Sequence, residues 1–366
     1  MFDFKFNWDL TLPSLYKAFE GKFLMGNIMS PYDLKNPEML AMYKHHYNAM
    51  TSENAMKPLY IAPNPGEWHF DEADALVDFA TQNNIAMIGH TLAWHGQSPK
   101  WLNQNPDGSP VTRAEAKRNM ETFVKTYAGR YSGRIHSWDV INEVFRDEGG
   151  DFKGTWRELL RRETDNPRAV GHWYLAYANG ADASLGECGG DFIFDVFYFA
   201  RKYDPHATLY CNEYNEEYDA KRNAMAEMVE DINEEWKKHP DYDNRLLIEG
   251  IGMQAHCNHG TNYDNVRKSI ERFVKTGAKI SVTELDITFG AHNEPANPLT
   301  PEQSKTQTEM YLRLFNMYLE FADHIERVTI WGKNDKMSWR GWGAPTLFGN
   351  EGEAKEAYHA LVNLNK

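Results

Sequence analysis

Short apolar segments alternate with longer amphipathic ones along nearly the whole chain. The short segments are rich in β-branched and other apolar residues, which is typical of buried strands in a parallel sheet. Eight strands are predicted, at residues 23–27, 49–53, 86–90, 135–142, 208–212, 247–254, 279–286 and 327–331. Between them, apolar positions at helical spacing predict helices over residues 37–47, 73–83, 113–131, 193–203, 220–238, 263–276 and 301–322.

Eight strands that alternate with helices predict an α/β fold, a single (β/α)8 TIM barrel that spans residues 1–366. No Ser-, Gly- or Pro-rich linker divides the chain into further domains. The longest irregular stretch, residues 146–190, follows the fourth predicted strand. Because a loop of this length inside a compact domain usually has a function, we expect an insert that lies over one wall of the barrel mouth.

A polar or aromatic residue closes nearly every predicted strand; these residues are Glu53, His90, Glu143, Glu213, Gln254, Glu284 and Trp331. In TIM barrels the active site is built at the C-terminal ends of the strands. Glu143 on the fourth strand and Glu284 on the seventh would face each other across the mouth. Hydrolysis of a glycosidic bond requires such a pair, since one carboxyl protonates the leaving oxygen while the other attacks or activates water.

Composition narrows the class of ligand. The net charge of −14 argues against a nucleic-acid partner, and no apolar run is long enough to span a membrane. The chain contains 11 Trp, 19 Tyr and 19 Phe, whose flat faces suit a sugar-binding cleft as well as a large core. The three cysteines and the absence of an apolar signal segment predict a cytoplasmic protein. A secreted protein whose signal is missing from this sequence is the alternative.

Seven motifs occur in order along the predicted strands. They are TSENAMK at 51–57, GHTLAWH at 89–95, DVINE at 139–143, NEYN at 212–215, GMQAH at 252–256, TELD at 283–286, and WG at 331–332 followed by Asp335 and SWR at 338–340. Over residues 12–361 the chain resembles glycoside hydrolase family 10, the retaining endo-β-1,4-xylanases. One departure is Glu213, which stands where that family usually has Asp. We expect its role to be structural, or to be that of a residue behind those that contact substrate, so that the change has little effect.

The resemblance implies that Glu143 is the acid/base and Glu284 the nucleophile. It also implies that His256 hydrogen-bonds Glu284, with Asp286 behind it to orient the imidazole. The implied substrate contacts are Asn142, Gln254, Lys57, His90, Trp94 and Trp331 at the cleaved bond, Glu53, Asn54 and Trp339 toward the non-reducing end, and Tyr214 on the leaving-group side.

The resemblance therefore implies cleavage of xylan and xylooligosaccharides, with no metal or other cofactor. Because polymeric xylan cannot cross a membrane, a cytoplasmic enzyme is expected to favour short soluble chains. A β-1,4-glucanase is an alternative, since its substrate differs by one hydroxymethyl group. The presence of both carboxylates disfavours a non-catalytic sugar-binding barrel. A metal-dependent hydrolase that uses His90, His95 and His256 is disfavoured because no HExxH motif occurs.

Overall fold

The computed structural model describes residues 6–147 and 153–364. Eight parallel strands in this part of the chain pair in sequence order, and the eighth pairs back to the first, which closes a barrel. The barrel strands are β1 (Leu24–Met29), β2 (Ala49–Ser52), β3 (Ala86–Trp94), β4 (Ser137–Asn142), β5 (Thr208–Glu213), β6 (Gly250–Met253), β7 (Lys279–Thr288) and β8 (Ile325–Ile330). The predicted (β/α)8 barrel is confirmed.

Helices of very different length surround the strands. In chain order they are α1 (Leu15–Ala18), α2 (Pro37–His46), α3 (Pro58–Ile61), α4 (Asp71–Gln82), α5 (Arg113–Arg130), α6 (Trp156–Leu159), α7 (His172–Ala178), α8 (Phe192–Tyr203), α9 (Asp219–Trp236), α10 (Tyr263–Val274), α11 (Pro301–Glu320) and α12 (Glu356–Leu361). The seven predicted helices are found in the structure as α2, α4, α5, α8, α9, α10 and α11. Each lies within a few residues of its predicted bounds. None of the helices in the described ranges is both long and apolar enough to cross a membrane.

Local sequence signals set the starts of the long helices. Thr300 and Gln303 form a reciprocal capping box at α11, where the Gln303 side chain accepts from the Thr300 amide at 2.9 Å. Pro301 occupies the first turn, where no amide hydrogen is required. At α5 the Thr112 hydroxyl accepts from the Glu115 amide at 3.3 Å. These caps place the helix starts so that the apolar faces meet the barrel.

Trp138 connects the barrel to a surrounding helix and also lies very close to the backbone of the neighbouring strand. The indole of Trp138 on β4 meets Tyr127 of α5 edge-on, with ring centroids 5.1 Å apart. A Cβ at residue 89 would lie 2.1 Å from the Trp138 ring, so only Gly89 fits there. The Trp138 indole nitrogen donates to Asp204 at 2.9 Å, which satisfies its one polar atom.

The observed strand bounds differ from the predicted ones by one to four residues, and at three strands the structure shows the reason. The amides of Leu247 and Ile248 both donate to the side-chain oxygen of Asn233 at 2.9 Å, so α9 satisfies them and β6 begins later. β3 continues to Trp94 because residues 93 and 94 still pair with β4. β7 continues to Thr288 because its end pairs with an additional short strand, His256–Asn258.

Residues 146–190, for which the sequence pattern predicts no regular structure, form the β4-loop segment. Its described part contains α6, α7 and two single 3-10 turns, Ala183–Leu185 and Gly189–Asp191. Helix α6 begins with a capping box between Thr155 and Glu158. These helices are too short to show a periodic apolar face, which is why the sequence pattern did not reveal them. Residues 148–152 lie outside the described part of the chain.

Candidate active site

Glu284 lies on β7 with only 6% of its surface exposed. The Asn212 amide donates to one carboxyl oxygen at 2.9 Å, and Nε2 of His256 lies 3.2 Å from the other. Burial by itself raises the pKa of this carboxyl, but the hydrogen bonds and the positive charge of His256 outweigh it and leave the pKa below its ordinary value. Glu284 is therefore ionised at neutral pH, as a carboxylate nucleophile must be.

His256 owes its position to pairing between strands. The short strand His256–Asn258 runs parallel to the end of β7, with His256 in register with Asp286. Nδ1 of His256 lies 3.0 Å from one Asp286 oxygen, and Arg340 donates to the other at 2.5 Å. Burial lowers the pKa of His256, yet Asp286 and Glu284 more than compensate and raise it to about 10. The ring is therefore a fixed cation beside Glu284.

Glu143 follows β4 in a left-handed backbone conformation, with φ +54°. One carboxyl oxygen accepts from the Trp94 indole at 3.0 Å, and the other accepts from Gln254 at 3.1 Å and Asn142 at 3.2 Å. His95 lies 3.9 Å away, and its ring is neutral because burial, chiefly, lowers its pKa to about 3. The side chains that donate hydrogen bonds to the Glu143 carboxyl group are thus uncharged, whereas the Glu284 carboxyl group faces a cation.

One network of side-chain amides connects the two carboxyl groups. The Asn212 amide donates to Glu284 and also to the side-chain oxygen of Asn142, each at 2.9 Å. Asn142 in turn donates to Glu143, and the hydroxyl of Thr283 donates to Asn212 at 2.6 Å. Because each amide has a defined donor and acceptor, the network fixes how both carboxyl groups face the cleft.

The residues predicted to enclose the sugar at the cleaved bond lie together. His90 is paired with Asp139 at 2.9 Å, and its ring meets Trp331 edge-on with centroids 5.8 Å apart. The Lys57 ammonium lies 5.2 Å from the centre of the Trp94 ring. Burial lowers the pKa of Lys57, although the negative charges of Glu284 and other nearby carboxylates act in the opposite direction. The result is a pocket of two indoles with a cation and an imidazole, all of which present surfaces suited to a pyranose ring.

The predicted contacts toward the non-reducing end extend from this pocket. Asn54 accepts from Lys57 at 3.0 Å, and Gln97 accepts from the same ammonium at 2.8 Å. Glu53 lies 3.7 Å from the ammonium of the buried Lys333. Trp339 is 63% exposed and meets His256 edge-on at 5.1 Å, so one face of its indole is open to solvent. A second sugar ring would find both hydrogen-bonding groups and an aromatic wall here.

Tyr214, predicted on the leaving-group side, lies in a dense charged cluster. Its hydroxyl accepts from Arg161 at 2.6 Å and donates to Asp147 at 2.7 Å, and the Lys221 ammonium lies 3.5 Å from its ring centre. Burial, as the largest effect, raises the pKa of Tyr214 to about 12. Beside it, a cleft next to Glu143 is lined on one side by five residues of the β4-loop segment, which are Arg161, Gly171, His172, Trp173 and Tyr174.

This arrangement has close counterparts among known proteins. The model of glycosyl hydrolase family 10 matches residues 14–364. The chain belongs to glycosyl hydrolase family 10. It is 31% identical over 371 residues to an endo-1,4-beta-xylanase of Geobacillus stearothermophilus, covering 97% of this chain and 99% of that protein. It is also 30% identical, over 97% of its length, to an exoglucanase of Acetivibrio thermocellus, of which the match covers 30%.

A solved family 10 structure shows the same fold in a complex with sugar. It is an intracellular xylanase of Thermoanaerobacterium saccharolyticum with bound xylotetraose, and it aligns with a TM-score of 0.80 at 31% identity. The alignment covers 97% of this chain and all of that one. Family membership confirms the predicted barrel and the predicted class of enzyme, a glycoside hydrolase. The structure brings all the predicted site residues to the mouth of the barrel, while their individual roles stay predictions.

Several residues of this family 10 site carried no assigned role in the sequence analysis. Asn212 lies within the NEYN motif, so its position at a strand end was an available signal. Gln97 follows the GHTLAWH motif by two residues, and Lys333 follows the WG pair directly. Arg161 offered no such signal, because it lies in the β4-loop segment outside every motif. Glu213, expected to be structural, is buried and accepts from the amides of Phe145 and Tyr214, both at 3.1 Å.

Proposed function

We propose that this family 10 enzyme hydrolyses β-1,4-xylosidic bonds with retention, with Glu284 as the nucleophile and Glu143 as the acid/base. The observation that carries the proposal is the contrast between the two carboxyl groups. Glu284 faces the fixed cation of His256, whereas Glu143 is held by neutral donors. Two carboxyl groups in different environments can take the acid and the nucleophile roles at the same pH.

The chemistry proceeds in two displacements. Glu284 attacks the anomeric carbon while Glu143 transfers its proton to the departing oxygen, so the glycosidic bond breaks and a glycosyl ester forms. Glu143, now ionised, then removes a proton from water as that water attacks the same carbon. The ester bond breaks, Glu284 leaves as a carboxylate, and Glu143 is protonated again. Two inversions at one carbon give net retention.

The substrate assignment is supported by the xylotetraose bound to the solved relative. We expect release of reducing ends from soluble xylan, with the β-anomer as the first product seen by proton NMR. An α-anomer formed first would overturn the nucleophile role of Glu284. Because one relative is named an exoglucanase, carboxymethyl-cellulose is the comparison substrate, and higher kcat/KM on it would move the assignment to glucan.

We further propose that the enzyme works in the cytoplasm on short imported chains. The three cysteines are unpaired, with Cys211 and Cys257 buried, which suits a reducing compartment, and the xylotetraose-bound relative is described as intracellular. We expect higher kcat/KM on xylotetraose than on soluble xylan, with xylobiose and xylose as the main products. Rapid loss of xylan viscosity with long products early on would contradict this preference and leave the catalytic roles intact.

A further inference from the structure

A single buried arginine of the β4-loop segment contacts both the acid/base residue and the leaving-group wall. Arg161 is 7% exposed. Its Nε donates to the backbone carbonyl of Glu143 at 2.8 Å, and one terminal nitrogen donates to the Tyr214 hydroxyl at 2.6 Å. A guanidinium holds its donors in a rigid plane, so the two bonds together fix the relative positions of the two acceptors.

The backbone around Arg161 is itself tied to the segment that follows Glu143. Phe145 and Leu160 form an antiparallel bridge, and the Arg161 amide donates to the Val144 carbonyl at 2.8 Å. Gly171 packs so closely on the other side that a Cβ there would lie 2.0 Å from the Arg161 carbonyl oxygen. The backbone of Arg161 is therefore held on one side by the segment that follows Glu143 and packed on the other side by Gly171.

The conformation of Glu143 explains why a clamp is needed at this point. Its φ of +54° is one that side-chain-bearing residues adopt only when their surroundings enforce it. The Glu143 amide donates to the Asn212 carbonyl at 2.9 Å, which fixes one side of the residue. Arg161 fixes the carbonyl on the other side. The direction of the Glu143 side chain toward the scissile bond follows from these two bonds.

We propose that Arg161 is a positioning residue that aims Glu143 at the leaving oxygen and holds Tyr214 beside the leaving sugar. This inference rests on the proposed function and deepens it, since it assigns a task in proton transfer to the β4-loop segment. Asp147 accepts a hydrogen bond from the Tyr214 hydroxyl at 2.7 Å and pairs with Lys221 at 2.9 Å. The Tyr214 hydroxyl is therefore held by Asp147 as well as by Arg161. Arg161 acts on catalysis through Glu143 and touches no reacting atom.

The test compares substrates that need the acid with substrates that do not. For Arg161→Met, kcat/KM on phenyl β-xylobioside is expected to fall about 100-fold, the size of effect expected when a reacting group is misplaced by about 1 Å. On dinitrophenyl β-xylobioside the loss is expected to stay within about threefold, because this leaving group needs little protonation. Arg161→Lys is expected to recover part of the loss, since an ammonium can replace one of the two bonds. Arg168→Met, at an exposed arginine of the same segment, is the control.

A burst of dinitrophenolate from the 2-fluoro xylobioside counts folded sites with a working Glu284. Equal losses on the two substrates, or no loss on either, at full burst would overturn the role of Arg161. If Arg161→Met gives no burst, the comparison of kcat/KM on the phenyl and dinitrophenyl substrates is made with Arg161→Lys instead, and its result decides the role of Arg161. Failure of the wild-type enzyme itself to form the fluoroglycosyl ester on Glu284 would instead overturn the proposed function. The two failures are therefore distinguishable.

Discussion

Replacing His256 by Asn tests whether its charge keeps Glu284 ready to attack. The wild-type imidazole lies 3.2 Å from Glu284 and 3.0 Å from Asp286, and its pKa of about 10 keeps it charged throughout the working pH range. Asn is similar in shape but carries no charge. The substitution therefore removes the cation and leaves the Asn212 hydrogen bond to Glu284 in place.

The expected loss is set by the charged hydrogen bond between His256 and Glu284. A hydrogen bond to a charged group contributes about 1.5–3 kcal/mol, which corresponds to a loss of about 10- to 150-fold in rate. The loss in kcat/KM should be the same for aryl xylobiosides with good and poor leaving groups, because Glu284 attacks in every case. This uniformity separates His256 from the residues that act through Glu143.

The pH dependence of kcat/KM provides a second, independent test of the charge on His256. In the proposed mechanism Glu284 must be ionised to attack, and His256 lowers the pKa of this carboxyl group against the effect of burial. Without the cation the pKa of Glu284 rises, so the acidic limb of the kcat/KM profile moves to higher pH. His259→Asn, an exposed histidine on the same connection, is the matched control and should leave the limb unmoved. An acidic limb at its wild-type position in His256→Asn would refute the electrostatic role of this ring.

Three further substitutions address the proposed roles and the surrounding charges. Glu284→Ala should abolish turnover on every substrate in a reducing-end assay. Remaining activity that depended on the leaving group would contradict the role of Glu284 as the nucleophile. Glu143→Ala should retain the first step on dinitrophenyl substrates, with azide accelerating the second step and giving a β-glycosyl azide by NMR. Lys221→Met leaves Glu213 buried without its partner at 3.1 Å, so urea unfolding should show a loss of about 3–5 kcal/mol. Lys237→Met, at an exposed ion pair, is the control for that loss.

The sequence was sufficient for the barrel because its strands are buried on both faces and several of its long helices, α2, α5, α10 and α11, begin at side-chain caps. Strand β5 and helix α11 were predicted to within a residue or two, since their apolar runs and flanking Thr300, Pro301 and Gln303 are local signals. The positions of Glu143 and Glu284 followed from the same logic. Glu143 directly follows β4 and Glu284 lies in the C-terminal half of β7, and in a parallel barrel the active site forms at that end of the strands.

Features that depend on contacts between distant segments could not be predicted in this way. The short strand His256–Asn258 forms only because the end of β7 offers it a partner, and three residues are too few for a periodic pattern. The resemblance supplied the order of Glu284, His256 and Asp286, but the register of the two strands had to come from the structure. Arg161 lies 18 residues beyond Glu143 in sequence and meets it where Phe145 and Leu160 form an antiparallel bridge.

The asymmetry of the two carboxyl groups arises from which strands border each of them. Glu284 lies beside the added strand at the end of β7, which brings the His256 cation, itself anchored through Asp286 to Arg340. Glu143 follows β4 and meets donors from β3 and the end of β6, which are an indole and an amide. The charged guanidinium of Arg161 bonds to Glu143 at its backbone carbonyl, where it restrains the direction of the side chain. In the proposed mechanism, the fold thus keeps a cation against the carboxyl group that attacks, while the carboxyl group that exchanges a proton is aimed through its main chain.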